Sequence, residues 1–422
     1  MTTLTDPPKE SFRLSMLIYD SRYRSMTIQI VALIAVLTLI GWLISNTAQN
    51  LADLGKQPSF SFLGESAGYD INQRLIDYEN QDSHLRAAFV GLLNTLLVAF
   101  MGCIAATLVG VFVGVLRLSN NWVVARLMTI YVEMFRNVPV LLWIILVMAI
   151  LIETLPAPRA FRGETPEASM MLGDSVAFTN RGFYVPEPLF SRGIGDVHLF
   201  GEAALRFDVS LDLIAVVATF IAGLLISGLI TRRADRIQAA TGDRPRTWHW
   251  KAAVIVIPTV AVLAILGFYL GKPELQGFNF AGGTHMRNSL IALWLALSLY
   301  TAAFIAEIVR AGILAISKGQ TEAAAALGLR QRRIMSLVVL PQALRVIIPP
   351  LISQYLNLTK NSSLAIAVGY MDITGTLMGI TLNQTGRELE TILIGMLIYL
   401  TISLTISFVM NLYNDAVKLR ER

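Results

Sequence analysis

Residues 317–341 read SKGQTEAAAALGLRQRRIMSLVVLP, an alanine-rich and then arginine-rich stretch between two strongly apolar ones. Ser317 and Gln320 stand three apart, the pattern of a capping box at a helix start. Ala323 to Ala326 favour helix and Gly328 interrupts it. A second short helix bearing Arg330, Arg332 and Arg333 is expected to lead to Leu340-Pro341, where the next apolar segment begins. The spacing predicts a short, stiff helix lying across one face of a membrane protein and tied at both ends to spanning helices. Such an element can pass a rigid-body push from a soluble partner to the bundle. The plainer reading of the same composition is an amphipathic connector.

The rest of the chain places this stretch in a membrane. Of 422 residues, 55% are hydrophobic and only 15% charged, against about a quarter charged in soluble domains; mean hydropathy is +0.60. The reading is an all-α, polytopic helical membrane protein. A span needs roughly 20 apolar residues, and eight segments qualify: 27–46, 87–116, 126–153, 208–230, 251–271, 287–312, 338–368 and 389–413. The seventh is interrupted by Pro349-Pro350 and by polar LTKNSS, and is expected to be broken. The first is longer than the apolar part of a signal peptide and is read as a retained anchor. Cys103, the single cysteine, excludes an internal disulfide and a cysteine-based metal cluster.

Basic residues give the orientation. Lys9, Arg13, Arg22 and Arg24 precede the first span. Arg232, Arg233, Arg236, Arg244, Arg246 and Lys251 lie between the fourth and fifth. Lys318, Arg330, Arg332 and Arg333 sit in the quoted loop, and Lys418, Arg420 and Arg422 end the chain. With eight spans all four groups fall on one side, which places both termini and the quoted loop in the cytoplasm. The long segments 47–86 and 154–207 then lie outside. The second of these, rich in Pro, Gly and Asn turns, is a candidate external subdomain.

No G-x-x-x-x-G-K-[ST] phosphate loop occurs, so energy is expected from a partner. His84, His198, His249 and His285 are scattered, and no metal site or catalytic residue is predicted. The net charge of +5 belongs to loop asymmetry rather than nucleic-acid binding. Ionisable residues inside spans mark either a pathway or a paired contact. Glu133/Arg136 and Glu307/Arg310, each three apart, are read as structural ion pairs or as parts of an inner gate. In the seventh span Asn357, Lys360, Asn361, Ser362 and Ser363 are the candidate substrate residues. An interrupted helix offers free N–H and C=O ends to a zwitterion, with Lys360 and the serines suited to its carboxylate. Hydrogen bonding to neighbouring helices is the plainer role.

The spacing of Glu322, Ala323, Ala324, Gly328, Val338, Leu340 and Pro341 resembles the EAA signature of ABC importer permeases, with Val338 in place of the usual Ile. GLLNTLLVAF (91–100), YVEMFRNVPVLL (131–142), LPQALRVIIPPL (340–351) and LNLTKNSSLA (356–365) are similar to polar amino-acid permeases of the histidine, glutamate, glutamine and arginine type. An extra first span and an insertion with two more make the chain most similar to the larger permease of the general L-amino-acid importer of alpha-proteobacteria. Two motifs depart: Arg136-Asn137-Val138-Pro139 stands where many relatives have Arg-Gly-Thr-Pro, and Lys360-Asn361-Ser362-Ser363 where many have Lys-Asp-Thr-Ser. The second change removes the acid that an amine-binding role at 361 would use.

The resemblance implies a type I ABC importer permease core of about eight transmembrane helices, moving L-amino acids by alternating access. It implies a multi-pass protein of the bacterial inner membrane with no cofactor of its own. ATP-Mg is used by a partner ATPase dimer docked on loop 313–337. A second, different permease (or a second copy), a periplasmic amino-acid-binding protein and membrane lipid are the other partners. The expected organisation is a tail (1–26), an extra helix (27–46), a periplasmic loop (47–86), core (87–153), insertion (154–286), core (287–415) and a tail (416–422). The rival classes are an ion-gradient-driven secondary transporter, which would show repeated halves and buried coupling acids, and a scaffold without transport.

Overall fold

Residues 16–55, 58–163, 165–199 and 205–417 are described by the structure, a computed structural model; the chain divides into two units after Phe60. Lys9, Arg13, Lys418, Arg420 and Arg422, on which part of the orientation rests, lie outside the described residues, as does the side chain of Arg22. The first unit holds α1 (Met16–Tyr19) and α2 (Ser21–Asp53). The second helix contains the expected first span, and its apolar stretch buries nothing within the chain.

The second unit runs through α3 (His84–Leu116), α4 (Trp122–Asn137) and α5 (Val140–Thr154) into the insertion. There β1 (Ala177–Thr179), β2 (Gly182–Val185), β3 (Glu187–Phe190), β4 (Asp196–Leu199) and β5 (Phe207–Ser210) precede α6 (Leu211–Thr241) and α7 (Trp248–Ile265). β6 (Phe268–Gly271), β7 (Glu274–Gln276), β8 (Asn279–Ala281) and β9 (Thr284–Arg287) follow. The chain then builds α8 (Asn288–Leu314), α9 (Lys318–Ala326), α10 (Gln331–Ile334), α11 (Leu340–Asn361), α12 (Leu382–Thr385) and α13 (Glu388–Val417). Among the described residues seven helices are long and apolar enough to span, or eight if one bent pair counts as a span.

That bent pair corrects the expected continuous span 126–153. α4 and α5 meet at 108° across Val138-Pro139. Pro139 fixes its own φ and disfavours helix at the residue before it; Val138 is accordingly extended at φ −113°, ψ 133°. The seventh span breaks at only one of its two expected places, the polar LTKNSS (358–363). α11 runs straight through Pro349 and Pro350, as membrane helices can when neighbours satisfy the freed carbonyls. The interruption comes after Asn361, in a 3₁₀ stretch, Ser362–Val368, closed by Gly369 at φ +69°. A π-helical stretch, Thr374–Thr381, and α12 then lead to α13, elements absent from the sequence reading. Residues 268–271, read as the end of the fifth span, are strand β6.

Short strands tie the insertion together. β1, β2 and β9 form one antiparallel sheet, with Phe183 paired to Phe178 and Met286. β3 pairs β6 across the α6–α7 hairpin, so the two extra spans leave and re-enter this strand layer side by side. Tyr184, 2% exposed, packs with Ala177 and Phe280 beneath it.

α8 is the core of the bundle, with 72% of its apolar window buried. Its Ala292, Ala296, Ala302, Ala303 and Ala306 are completely covered. In lipid, helices gain little from hydrophobicity alone, and small residues let backbones approach for dispersion contact. The close approaches are explicit: a Cβ at Gly110 would lie 2.6 Å from Ile305 Cβ and 2.9 Å from Ala302 O. One at Gly114 would lie 2.7 Å from Ala306 O, and one at Gly312 would lie 2.4 Å from Ile347 Cγ1 in α11. Gly110→Leu is therefore expected to lower the thermal midpoint of the detergent-solubilised chain, by roughly 1–3 kcal/mol or more of overpacking. Gly228→Leu, where an added Cβ meets nothing within 4 Å, should leave it unchanged; equal midpoints in the two variants would refute this account of the core.

Candidate functional site

The quoted segment folds as a braced arm. α9 starts after Ser317 and ends before Gly328, whose φ of +76° is a left-handed turn that glycine adopts without strain. The expected Ser317–Gln320 capping box does not form through side chains: Gln320 N donates to the Ser317 carbonyl at 3.1 Å, and the Ser317 hydroxyl makes no cap bond. Ala324, Ile334 and Val339 are buried in a small core with Ile313 of α8 and Ile316 just beyond it. Ala324 thus fixes the arm, whereas Glu322, Ala323 and Gly328 face outward beside Leu327, which is 82% exposed.

Leu340-Pro341 does not begin the next span, as the sequence reading had it. α10, a π-helical turn (Met335–Val339) and α11 are one helical run starting at Gln331. Pro341 has no N–H for the Leu337 carbonyl, and its ring crowds the preceding turn; the widened turn just before it relieves that crowding. The arginine-bearing α10 is therefore the first turn of a spanning helix.

The five candidate substrate residues separate on inspection. Asn357 and Lys360 are exposed, Asn361 and Ser363 half-buried, and Ser362 fully buried. Ser362 Oγ donates to Thr359 O at 2.7 Å and Ser363 Oγ to Lys360 O at 2.8 Å. Both hydroxyl protons thus satisfy carbonyls at the end of α11, which the break would otherwise orphan. Neither hydroxyl proton is then left open to a carboxylate in this structure. Lys360 instead borders a cavity of about 310 Å3 with Met378, Met396, Tyr399, Leu400 and Ser403; among the described residues its side chain makes no ion pair or hydrogen bond.

The break is held by residues within GLLNTLLVAF. Asn94 Nδ2 donates to Met371 O at 2.8 Å and to Gln73 O at 2.6 Å. Thr95 Oγ1 accepts from Ile373 N at 3.1 Å, and Tyr370 donates to Asn94 O at 3.1 Å. Gly91 leaves room for this: a Cβ there would sit 2.2 Å from Thr376 Oγ1. Asp372, fully buried, escaped the sequence reading. Its Oδ1 accepts from Gly375 N at 2.9 Å and its Oδ2 from the Tyr399 hydroxyl at 3.1 Å. The signal was an Asp three residues ahead of Gly375, the pattern of a helix cap.

Of the two expected ion pairs only one forms. Glu307 Oε1 lies 3.5 Å from Arg310. Its Oε2 contacts Arg117 at the end of α3 and lies 3.7 Å from Arg136 in α4. Arg136 also caps the Phe304 ring, 5.5 Å from its centroid. Glu133 does not pair with Arg136; its Oε2 accepts from Asn137 Nδ2 at 3.2 Å. Arg136 turns to the one carboxylate that three elements share.

The described residues of the second unit form a multi-span helical bundle with a braced arm at one end. Residues 252–422 match the family described as "Binding-protein-dependent transport system inner membrane component". Over its full length and that of the relative, the chain is 58% identical to the "Glutamate/glutamine/aspartate/asparagine transport system permease protein BztB" of Rhodobacter capsulatus. It is 43% identical to the "Putative amino-acid ABC transporter permease protein YhdX" of Escherichia coli, over 94% of this chain and 95% of that one. With the "General L-amino acid transport system permease protein AapQ" of Rhizobium johnstonii it shares 42% identity over 98% and 96%. A solved "amino acid ABC transporter with histidines" aligns at 19% identity and a TM-score of 0.42, covering 78% of this chain and 94% of that one.

The chain belongs to the amino-acid permease family of ABC transporters. It is a multi-pass inner-membrane transport subunit and not an enzyme; a partner ATPase hydrolyses ATP, and other permease subunits are its companions. The ion-gradient reading falls with that assignment.

Glu307→Gln should leave three guanidiniums facing one another and destabilise the half-exposed cluster by about 1–3 kcal/mol, between exposed and buried pairs. Glu133→Gln, which frees no arginine, should cost less than about 0.5 kcal/mol. Denaturation midpoints of the two variants decide; a ranking the other way round would refute the hub.

Proposed function

We propose that this chain forms one wall of an import pathway for L-amino acids and converts ATPase closure into alternating access through the arm 313–337. The observation that supports this most is the division of labour within the arm. Ala324 is sunk into the same small core as Ile313 of α8 and Ile316 just beyond it, while Glu322, Ala323, Leu327 and Gly328 are presented outward. Force applied to the outward face reaches α8 without a flexible link, because Ile334 and Val339 of the following span share that core.

In this reading an ATPase dimer using ATP-Mg docks on that face, and this chain binds no cofactor. Both termini are cytoplasmic. A second, different permease completes the pathway, although a second copy of this chain would also supply two arms. A periplasmic amino-acid-binding protein delivers substrate at the opposite end, where the strands of the insertion 154–286 lie. Lys360, unpaired at the edge of its cavity, contributes to substrate passage there; α6 and α7 contact lipid.

Gly328→Pro removes a left-handed turn and the N–H that donates to Ala325 O at 2.9 Å; Glu322→Lys reverses the charge of the outward face. Either is expected to reduce uptake by tenfold or more, roughly 1.4 kcal/mol, while the complex still assembles. Wild-type uptake in both variants would end the coupling proposal. Lys360→Ala should weaken uptake several-fold with assembly intact, and unaltered kinetics across several amino acids would remove Lys360 from the path.

A further inference from the structure

At the end of the second unit opposite the arm lies a cavity of about 200 Å3. Its polar walls come from four separate parts of the chain. Gln73 precedes α3, Asn180 and Arg181 form the β1–β2 turn, Arg287 and Asn288 join β9 to α8, and Tyr370 follows the break. Two guanidinium groups line it and no carboxylate does. The cavity is therefore positive, with Arg181 supplied by the insertion and Arg287 by the end of β9.

Three polar atoms of these lining residues are buried without a hydrogen-bond partner: Asn180 Oδ1, Arg287 Nε and Asn288 Oδ1. Asn288 is 3% exposed, and its Nδ2 is already committed to Thr179 O at 3.4 Å. Buried polar atoms without partners are uncommon and call for a ligand or water. This set contains a donor on a cation and two neutral acceptors, the complement of a carboxylate and an ammonium. Asn288 also opens a 27-residue helix whose first residues have no side-chain cap, so the positive end of its dipole adds to the field. The walls are braced: Gln73 Oε1 accepts from Arg287 N at 3.0 Å, and Asn94 holds both Gln73 and Met371. His285 stacks on Tyr184 at 4.2 Å, and burial lowers its pKa, keeping the ring neutral beside the two arginines.

We propose that this cavity is an outer binding site for an acidic α-amino acid, with Arg181 and Arg287 facing its two carboxylates and the Asn180 and Asn288 carbonyl oxygens its ammonium. A volume of about 200 Å3 suits a single small metabolite rather than a peptide. Lysine or arginine would bring a second cation to a site with no acid to meet it. The proposal rests on the amino-acid reading above and names the substrate class at its entrance.

The test uses the transporter purified with its partner subunits through a tag on this chain, without ATP or binding protein. Radiolabelled L-glutamate should bind saturably and resist competition by L-arginine. Arg181 is exposed and spends one Nη1 bond of 3.5 Å on Phe278 O, so Arg181→Ala should fold. That variant should bind glutamate at least about tenfold more weakly, the loss of one charge-assisted pair. Arg181→Glu should lose glutamate binding further and make L-lysine an effective competitor. Gly328→Pro, at the far end, should bind glutamate like wild type. If it also transports normally, the coupling reading fails and the outer site stands. Unchanged glutamate affinity in Arg181→Ala, equal competition by arginine, or no saturable glutamate binding in the wild type would overturn the site.

Discussion

Close packing around α8 is the constraint on which the second unit depends. Hydrocarbon tails are as apolar as leucine, so the bundle cannot be held by hydrophobicity as a soluble core is. It is held where Gly110, Gly114 and Gly312 let α3 and α11 approach the alanine-lined surface of α8 to contact distance. The arm, the break and the arginine that ends α3 are each attached to one of those three helices. Arg117 ends α3, the arm follows α8, and the break with its serines ends α11.

That packing also explains why the polar positions fall where they do. A spanning helix can be broken only if its freed N–H and C=O groups find partners inside the protein. Ser362, Ser363, Asn94, Thr95 and Asp372 are such partners, and each is tied to backbone rather than held open. The energy of an orphaned peptide group exceeds the small gain from one more substrate contact. Hydroxyls beside the break therefore serve it first, and the charged tip of Lys360, which cannot cap a helix carbonyl and reach the cavity at once, is left facing the cavity.

The helical spans and the arm were legible because they depend on local signals: apolar length, a run of alanines and a glycine that must turn left-handed. What the sequence hid depends on contacts between distant segments. Of the two interruptions expected in the seventh span, a helix flanked by others tolerates Pro349-Pro350, and the break falls in LTKNSS, where serines and Gly369 close it. Glu133 and Arg136 had the spacing of an ion pair, yet Arg136 reaches Glu307, 171 positions further along the chain, because three arginines compete for the better buried acid. The strands of the insertion were missed because they are three or four residues long, and β2 and β3 take partners, β9 and β6, from across the α6–α7 hairpin. Arg181 and Arg287, which the sequence reading did not single out, meet at one cavity because β2 pairs with β9.

α8 joins the two ends that matter. Its 27 residues reach about 40 Å at the rise of a regular helix, from Asn288 at the arginine-lined cavity to Leu314 beside the arm. A helix of that length, buried over most of its surface, moves as a rod, since bending it would open the glycine contacts that hold it. Motion must then be taken up where the backbone already departs from regular helix: the 108° corner at Val138-Pro139, the widened turn at Met335–Val339 and the closed break at Ser362–Gly369. All three lie on elements packed around α8 rather than within it. An irregular turn has neighbouring hydrogen-bonding arrangements of similar energy, whereas a regular buried helix has one. Coupling between the ends therefore requires α8 to stay intact while its surroundings change, which is the two-state behaviour that transmission over such a distance demands.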